Sequence, residues 1–219
     1  MRGKVEIIPH ILEREIKEVR RKLGLVKPYV ETVAVDIIDG IFVSNKTHEV
    51  LELKGLKELE GLKLDFHLMV SEPTLFVDDC KRAGGNRVIG QIEMMNDQEE
   101  FVKLVKSNGM SAGLALDLET PVEAIEERLL GEIDCVLVMS VKAGASGQGF
   151  QREALDKIRK LRGLAKKHGE FNIAVDGGIN KETIKEVTVA GANHLGVTSA
   201  IFKAEDMGKA IKELMRLVK

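Results

Sequence analysis

The sequence predicts a single α/β domain that folds as a closed (β/α)8 barrel of the TIM type. Two observations lead to this expectation: short β-branched runs recur along the chain, and longer amphipathic, charged stretches separate them. Strands that alternate with helices form a parallel sheet, and eight strand–helix units with no strand left over suit a closed barrel. Since 219 residues provide one sizeable core and are few for two ordinary domains, we expect one domain over residues 1–219.

The individual elements follow from the same patterning. The predicted strands are short apolar runs at residues 4–8, 32–36, 63–70, 87–90, 111–117, 135–141, 172–178 and 194–200. Apolar residues at helical spacing predict helices over 13–23, 74–83, 97–107, 121–130, 152–168 and 181–190, with a last helix over about 205–218. Pro121 and Asn180 are typical of helix starts.

Composition narrows the classes of partner. The net charge of −2, from 33 Lys and Arg against 35 Asp and Glu, argues against a nucleic-acid or membrane partner selected by bulk charge. Cys80 and Cys135 form no CxxC pair, which favours two reduced thiols over a zinc knuckle or a disulfide framework. No apolar run approaches the roughly 20 residues that span a bilayer, and the N-terminus lacks the long apolar core of a signal peptide. We therefore expect a cytoplasmic protein.

Polar side chains near the ends of three predicted strands mark a candidate site. The run VAVDIIDG (33–40) carries Asp36, the third predicted strand carries Asp65 and His67, and the seventh reaches Asp176. If the faces that hold Asp36 and His67 point inward, these side chains converge at the mouth of the barrel, and Asp176 approaches from the other side. Two carboxylates across a small substrate suit proton exchange beside a carbonyl, and a divalent metal on the same groups would hold the enediolate formed between the two steps.

Glycine-rich turns follow the last three predicted strands. They are GASGQG (144–149), DGG (176–178) and GVTS (196–199). Loops at these places in a barrel bind phosphate through backbone N–H groups. Turns use glycine in any case, so it is the three consecutive clusters together that predict a phosphate site.

Several segments also match a known family in sequence and order. They are VDIIDGIFVSN (35–45), LDFHLMV (64–70), VMSVKAGASGQ (138–148), VDGGI (175–179) and SAIF (199–202). Through them the chain resembles, nearly end to end, the ribulose-phosphate 3-epimerase family of (β/α)8 enzymes. The resemblance implies interconversion of ribulose 5-phosphate and xylulose 5-phosphate in the pentose phosphate pathway, a small sugar-phosphate substrate and a homo-oligomer.

The resemblance also implies residue roles. Asp36 and Asp176 would be the acid/base pair, and both would bind a divalent metal of the Zn, Fe, Mn or Co type together with His67. Further residues would contact the substrate or its phosphate: His10, His67, Met69, Met139, Gly144, Ser146, Gly147, Gly177, Gly178, Thr198 and Ser199.

The chain departs from the family pattern inside the site. Ala34 stands where the family has its first metal ligand, a His two residues before Asp36, and His10 stands where the family has a substrate-contacting Ser. Ser146 and Thr198 replace glycines that permit a close backbone approach. In one interpretation, His10 moves an imidazole into the gap left by Ala34 and restores four ligands.

In the other interpretation, metal binding is weakened or absent. The protein would then bind a sugar phosphate without turning it over, or would serve another pathway, such as epimerisation of another ketose phosphate. The second acid of the run VAVDIIDG, Asp39, lies beside Gly40. We expect it to cap the turn there rather than to take part in chemistry.

Overall fold

Eight parallel strands close into a barrel in the computed structural model, which describes residues 4–144 and 147–218. Each strand pairs with the next, and β8 pairs with β1, so the sheet has no free edge. The predicted fold class is thereby confirmed, whereas the extent of the domain over 1–219 stays a prediction. The strands are β1 Glu6–Ile11, β2 Thr32–Ile38, β3 Lys63–Met69, β4 Arg87–Gln91, β5 Ser111–Leu116, β6 Cys135–Met139, β7 Asn172–Asp176 and β8 His194–Val197.

Helices pack around the outside of the barrel. Asn180 caps the region before α5 as predicted, since its side-chain oxygen accepts from the N–H groups of Glu182 and Thr183 over 2.8 and 3.2 Å. None of the described helices is long and apolar enough to cross a membrane. The helices are α1 Ile16–Val26, α2 Val77–Arg82, α3 Gln98–Ser107, α4 Ala154–His168, α5 Ile184–Ala190, α6 Ser199–Phe202 and α7 Met207–Leu217.

The helix predicted over 121–130 is wrong. That stretch forms two short 3-10 segments, Val122–Ala124 and Glu127–Gly131, separated by an extended Ile125. The Gln98 side chain at the start of α3 explains the break, because it donates to the carbonyl of Ala124 over 2.8 Å and accepts from the N–H of Glu126 over 3.1 Å. Those backbone groups are therefore satisfied from a neighbouring element instead of within a helix.

The predicted repeat of eight strand–helix units is also less regular than expected. The connection from β2 to β3 contains 3-10 segments at Val50–Leu53 and Lys57–Leu59 instead of an α-helix. The eighth predicted strand ends at Val197, because the backbone turns at Thr198 and α6 begins at Ser199.

The first strand runs beyond its predicted end at residue 8. It continues through Pro9 to Ile11, and its end pairs with β2 in the register His10 opposite Ala34. This extension turns the side chain of His10 into the barrel, since side chains alternate along a strand.

A polar layer lies inside the barrel beneath its mouth. The Asp65 carboxylate accepts a hydrogen bond from Arg87, whose other terminal nitrogen lies 2.9 Å from Nδ1 of His194. Burial and the nearby Arg87 guanidinium lower the pKa of His194 to about 3, so its ring is neutral and accepts from the arginine. Asp65 therefore belongs to a buried ion pair and not to the site at the mouth.

Candidate active site

Neighbouring strands place an aspartate and a histidine side by side at the mouth. Asp36 and His67 are register partners on β2 and β3, and Nδ1 of His67 lies 3.1 Å from Oδ1 of Asp36. Both residues are almost completely buried. The two side chains therefore converge at the mouth, as expected if their strand faces point into the barrel.

Two further side chains complete a compact group. Nδ1 of His10, on β1, lies 3.4 Å from Oδ1 of Asp36 and 3.6 Å from Oδ2 of Asp176, on β7. Each of the four residues offers one ligand atom, and these atoms all lie within 4.8 Å of one another. We call His10, Asp36, His67 and Asp176 the His/Asp cluster.

The cluster holds opposite charges together. Burial opposes ionisation of Asp36, but the imidazoles of His10 and His67 hold the pKa of this carboxyl well below its ordinary range. Burial likewise opposes protonation of His10, yet the carboxylates of Asp176 and Asp36 raise its pKa well above its ordinary value. The cluster therefore stabilises positive charge at its centre, whether carried by a proton or by a metal ion.

A hydrogen-bonded chain orients the ring of His67. With the Gln91 amide oxygen facing the ring, Nε2–H of His67 donates to it over 3.2 Å, and the amide nitrogen donates to Oε2 of Glu93 over 2.8 Å. A proton on Nε2 leaves a lone pair on Nδ1, which faces the carboxylates of Asp36 and Asp176. Acceptor atoms that converge in this way fit a divalent cation.

Replacing Gln91 with leucine should weaken metal binding by about 10- to 100-fold, because His67 then loses the acceptor that fixes its tautomer and orientation. Gln91→Glu is the matched control, since its protonated side chain keeps an acceptor for His67 and a donor to Glu93. The measurement is competition for Zn²⁺ with a chromophoric chelator. Equal affinities for the leucine variant and the unmodified protein would show that Gln91 does not position His67.

A cleft opens above the cluster at the carboxyl ends of the strands. His10 and His67 lie beneath it and, together with Ala34, line a small interior void. Ser146, one of the predicted phosphate contacts, lies outside the described residues. The other predicted site residues all line the cleft: Asp36, Met69, Met139, Gly144, Gly147, Asp176, Gly177, Gly178, Thr198 and Ser199.

The turn after β7 is shaped by its two glycines. Gly177 and Gly178 have φ of +109° and +62°, and a Cβ on Gly178 would lie 2.4 Å from the backbone nitrogen of Phe150. The buried Ser140 hydroxyl fastens the turn from β6, donating to the carbonyls of Asp176 at 2.9 Å and Gly177 at 2.6 Å. The Asp176 side chain is thus carried by a fixed backbone.

Asp39 holds the loop after β2. Its carboxylate accepts from the backbone N–H groups of Ser71 at 2.7 Å, Ile41 at 2.8 Å and Phe42 at 3.2 Å. Partial burial opposes ionisation, but these hydrogen bonds hold the pKa of Asp39 below its ordinary value. The prediction that Asp39 caps the turn is confirmed.

Asp39→Ala should lower the free energy of unfolding by about 1 kcal/mol, since three backbone N–H groups lose their acceptor and turn to water. Glu119→Ala removes an exposed carboxylate from another loop and should leave stability within the error of measurement. Urea unfolding at pH 7 measures both. A Glu119 variant that loses as much stability as the Asp39 variant would refute the assignment.

Three residues beside the site received no role from sequence reasoning. Gln91 and Ser140 act through the hydrogen bonds described above, and Nζ of Lys203 lies 3.5 Å from the place a Cβ on Gly147 would occupy. Gln91 ends β4 as a buried polar residue, the same signal that marked Asp36 on β2. Applied to every strand, that signal finds Gln91 but not Lys203.

These features define a class of protein: a (β/α)8 barrel of the enzyme type, with a candidate metal centre beneath a glycine-lined cleft at the catalytic face. The sequence profile described as the Ribulose-phosphate 3 epimerase family matches residues 6–202. The chain belongs to this family.

Curated relatives agree over nearly the whole chain. The ribulose-phosphate 3-epimerase of Bacillus subtilis (strain 168) is 33% identical over 213 residues, which cover 96% of this chain and 98% of the relative. The cytoplasmic isoform of ribulose-phosphate 3-epimerase from Oryza sativa subsp. japonica is 33% identical over 217 residues, covering 97% and 94%.

A solved structure shows the same fold at low sequence identity. The crystal structure of KGPDC from Streptococcus mutans matches with a TM-score of 0.75 and 12% identity over 98% of this chain and 97% of that chain. At this identity the similarity concerns the barrel alone.

Proposed function

We propose that this protein is a 3-epimerase of ketose phosphates that interconverts ribulose 5-phosphate and xylulose 5-phosphate. The observation that carries the proposal is the placement of Asp36 and Asp176, whose carboxylates line one cleft from β2 and β7 and belong to one buried cluster. Relatives named for this reaction align with nearly the full chain, which supports the same substrate class.

The two aspartates would exchange protons at C3 of the substrate. One carboxylate removes the proton from one face, and negative charge passes to the C2 oxygen to form an enediolate. The other aspartate, in its protonated form, donates to the opposite face, so the configuration at C3 inverts. In the reverse reaction the two aspartates exchange roles.

Asp36, His67 and Asp176 would hold a divalent metal. Carboxylate oxygens and an imidazole nitrogen suit Zn, Fe, Mn or Co, and their buried, converging acceptor atoms fit such an ion. When bound, the ion would stabilise the negative charge that develops on the C2 oxygen. Ala34 supplies no donor atom, so metal affinity depends on whether another nitrogen takes that place.

The glycine-lined side of the cleft would bind the phosphate. Backbone N–H groups around Gly177–Gly178 and Thr198–Ser199 are the proposed donors, and Lys203 adds a positive charge near Gly147. Within the described residues, Gly144 and Gly147 also line the cleft, and the proposal extends to Ser146. Met69 and Met139 would pack against the carbon chain of the sugar.

Turnover of ribulose 5-phosphate by the purified protein tests the proposal. Xylulose 5-phosphate is detected with a coupled transketolase assay, and a hexulose 6-phosphate is tried in parallel to decide whether another ketose phosphate is used. A protein that binds ribulose 5-phosphate and releases no xylulose 5-phosphate would instead be a non-catalytic relative.

We also propose that the protein works in the cytoplasm as a homo-oligomer. The cytoplasmic isoform among its relatives supports the location, and the family resemblance, which implies a homo-oligomer, supports assembly. Light scattering after gel filtration measures the subunit number.

A further inference from the structure

The first strand buries a histidine nitrogen that has no hydrogen-bond partner. His10 is 4% exposed, and its Nδ1 is unsatisfied among the described residues, although it faces the carboxylates of Asp36 and Asp176. A buried polar atom left without a partner destabilises the fold, so its presence at a site calls for an explanation.

The distances around this nitrogen are those of separate ligands around a shared centre. Nδ1 of His10 lies 3.4 Å from Asp36 Oδ1 and 3.6 Å from Asp176 Oδ2. A charge-assisted hydrogen bond from a protonated imidazole to a carboxylate would be about 2.7–2.9 Å long. His10 Nδ1 therefore makes a short hydrogen bond to neither oxygen and lies at nearly the same distance from both carboxylates.

The neighbouring strands make room for this ring. A Cβ on Gly196, on β8, would lie 2.7 Å from Nε2 of His10, so only glycine leaves space on that side. On the other side, the register partner of His10 on β2 is the small Ala34. Both flanking strands thus carry a small residue beside the imidazole.

We propose that His10, supplied by β1, is the fourth ligand of the metal centre and takes the place that Ala34 leaves on β2. The centre then has two imidazoles and two carboxylates, a donor set that suits a divalent transition metal. The inference rests on the proposed function, because it concerns the metal centre of that same site. Under this proposal the metal centre is complete rather than weakened. Its second histidine comes from β1 instead of β2.

Cobalt(II) binding tests the assignment without recourse to activity. Metal-free protein is titrated with Co²⁺, and both the affinity and the visible absorption of the bound ion are recorded for the unmodified chain, His10→Ala and His10→Gln. Because loss of a second-sphere partner already costs 10- to 100-fold, loss of a ligand should weaken binding by about 100-fold or more and change the spectrum.

A second variant moves the ligand back to β2. Adding Ala34→His to His10→Ala should restore Co²⁺ affinity to within about tenfold, because removal of the His10 ring frees the space beside its register partner on β2. His48→Ala is the matched control: His48 is a buried histidine outside the cluster whose Nδ1 lies 3.0 Å from the Glu49 carbonyl. That control should bind Co²⁺ like the unmodified protein.

Unchanged affinity and an unchanged spectrum in folded His10→Ala or His10→Gln would overturn the assignment. Circular dichroism establishes that each variant is folded. Turnover of ribulose 5-phosphate by the unmodified chain decides the proposed function separately. A protein that epimerises its substrate but binds Co²⁺ equally well without His10 contradicts this inference alone.

Discussion

Replacing either Asp36 or Asp176 with asparagine lowers kcat/KM for ribulose 5-phosphate by about 10³-fold or more. Proton transfer by a positioned carboxylate contributes about 10²–10⁴-fold to the rate, and both residues also face the metal centre. Asparagine keeps the size of the side chain and removes its ability to accept the C3 proton. The coupled assay for xylulose 5-phosphate measures the loss, with metal content determined on the same samples.

Asp156→Asn provides the control for that comparison. Asp156 lies on α4, where its carboxylate accepts from Arg159 over 2.6 Å at the surface. We expect this variant to keep the unmodified rate. Near-normal turnover in both folded site variants would contradict the roles of the two aspartates.

Replacing Gly178 with alanine lowers kcat/KM by about 100-fold and the free energy of unfolding by roughly 1–3 kcal/mol, the usual cost of a non-glycine residue in a rare backbone conformation. At φ +62° the added Cβ would also lie 2.4 Å from the backbone nitrogen of Phe150. One of the two segments must move, and both border the proposed phosphate site. Most of the loss should appear in KM, measured from initial rates.

Gly163→Ala makes the same chemical change where the backbone tolerates it. Gly163 lies on the exposed face of α4, and nothing lies within 4 Å of a Cβ added there. Alanine should stabilise the protein by about 0.5–1 kcal/mol at this position. The unfolding temperatures of the two variants should therefore shift in opposite directions from that of the unmodified protein. A shift in the same direction for both would refute the argument from Gly178.

Strand periodicity was sufficient to predict the barrel, since each buried strand forms a distinct apolar run and eight such runs leave few alternatives. The stretch 121–130 was predicted wrongly because its backbone bonds go to Gln98, a partner on another element. Local propensity contains no information on such a partner.

The sequence predicts a site residue correctly where the alternation of side chains along its strand decides whether the residue points into the barrel. Asp36 and His67 follow from alternation along two adjacent strands. The position of His10 depends on β1 continuing past Pro9 and on its pairing with Ala34, which the sequence of β1 does not specify. Gln91 is a polar residue at the end of a buried strand, so the same signal finds it, whereas Lys203 reaches the site through a contact between distant segments that only the folded chain reveals.

The fate of the hydrogen at C3 tests the central claim most directly. Ribulose 5-phosphate is incubated with the protein in D2O, and proton NMR follows the C3 signals of substrate and product during the first turnovers. Two aspartates that act on opposite faces predict xylulose 5-phosphate carrying solvent deuterium at C3 as it forms. Product that retains the original C3 hydrogen, or substrate that undergoes no exchange and no conversion, would contradict the account.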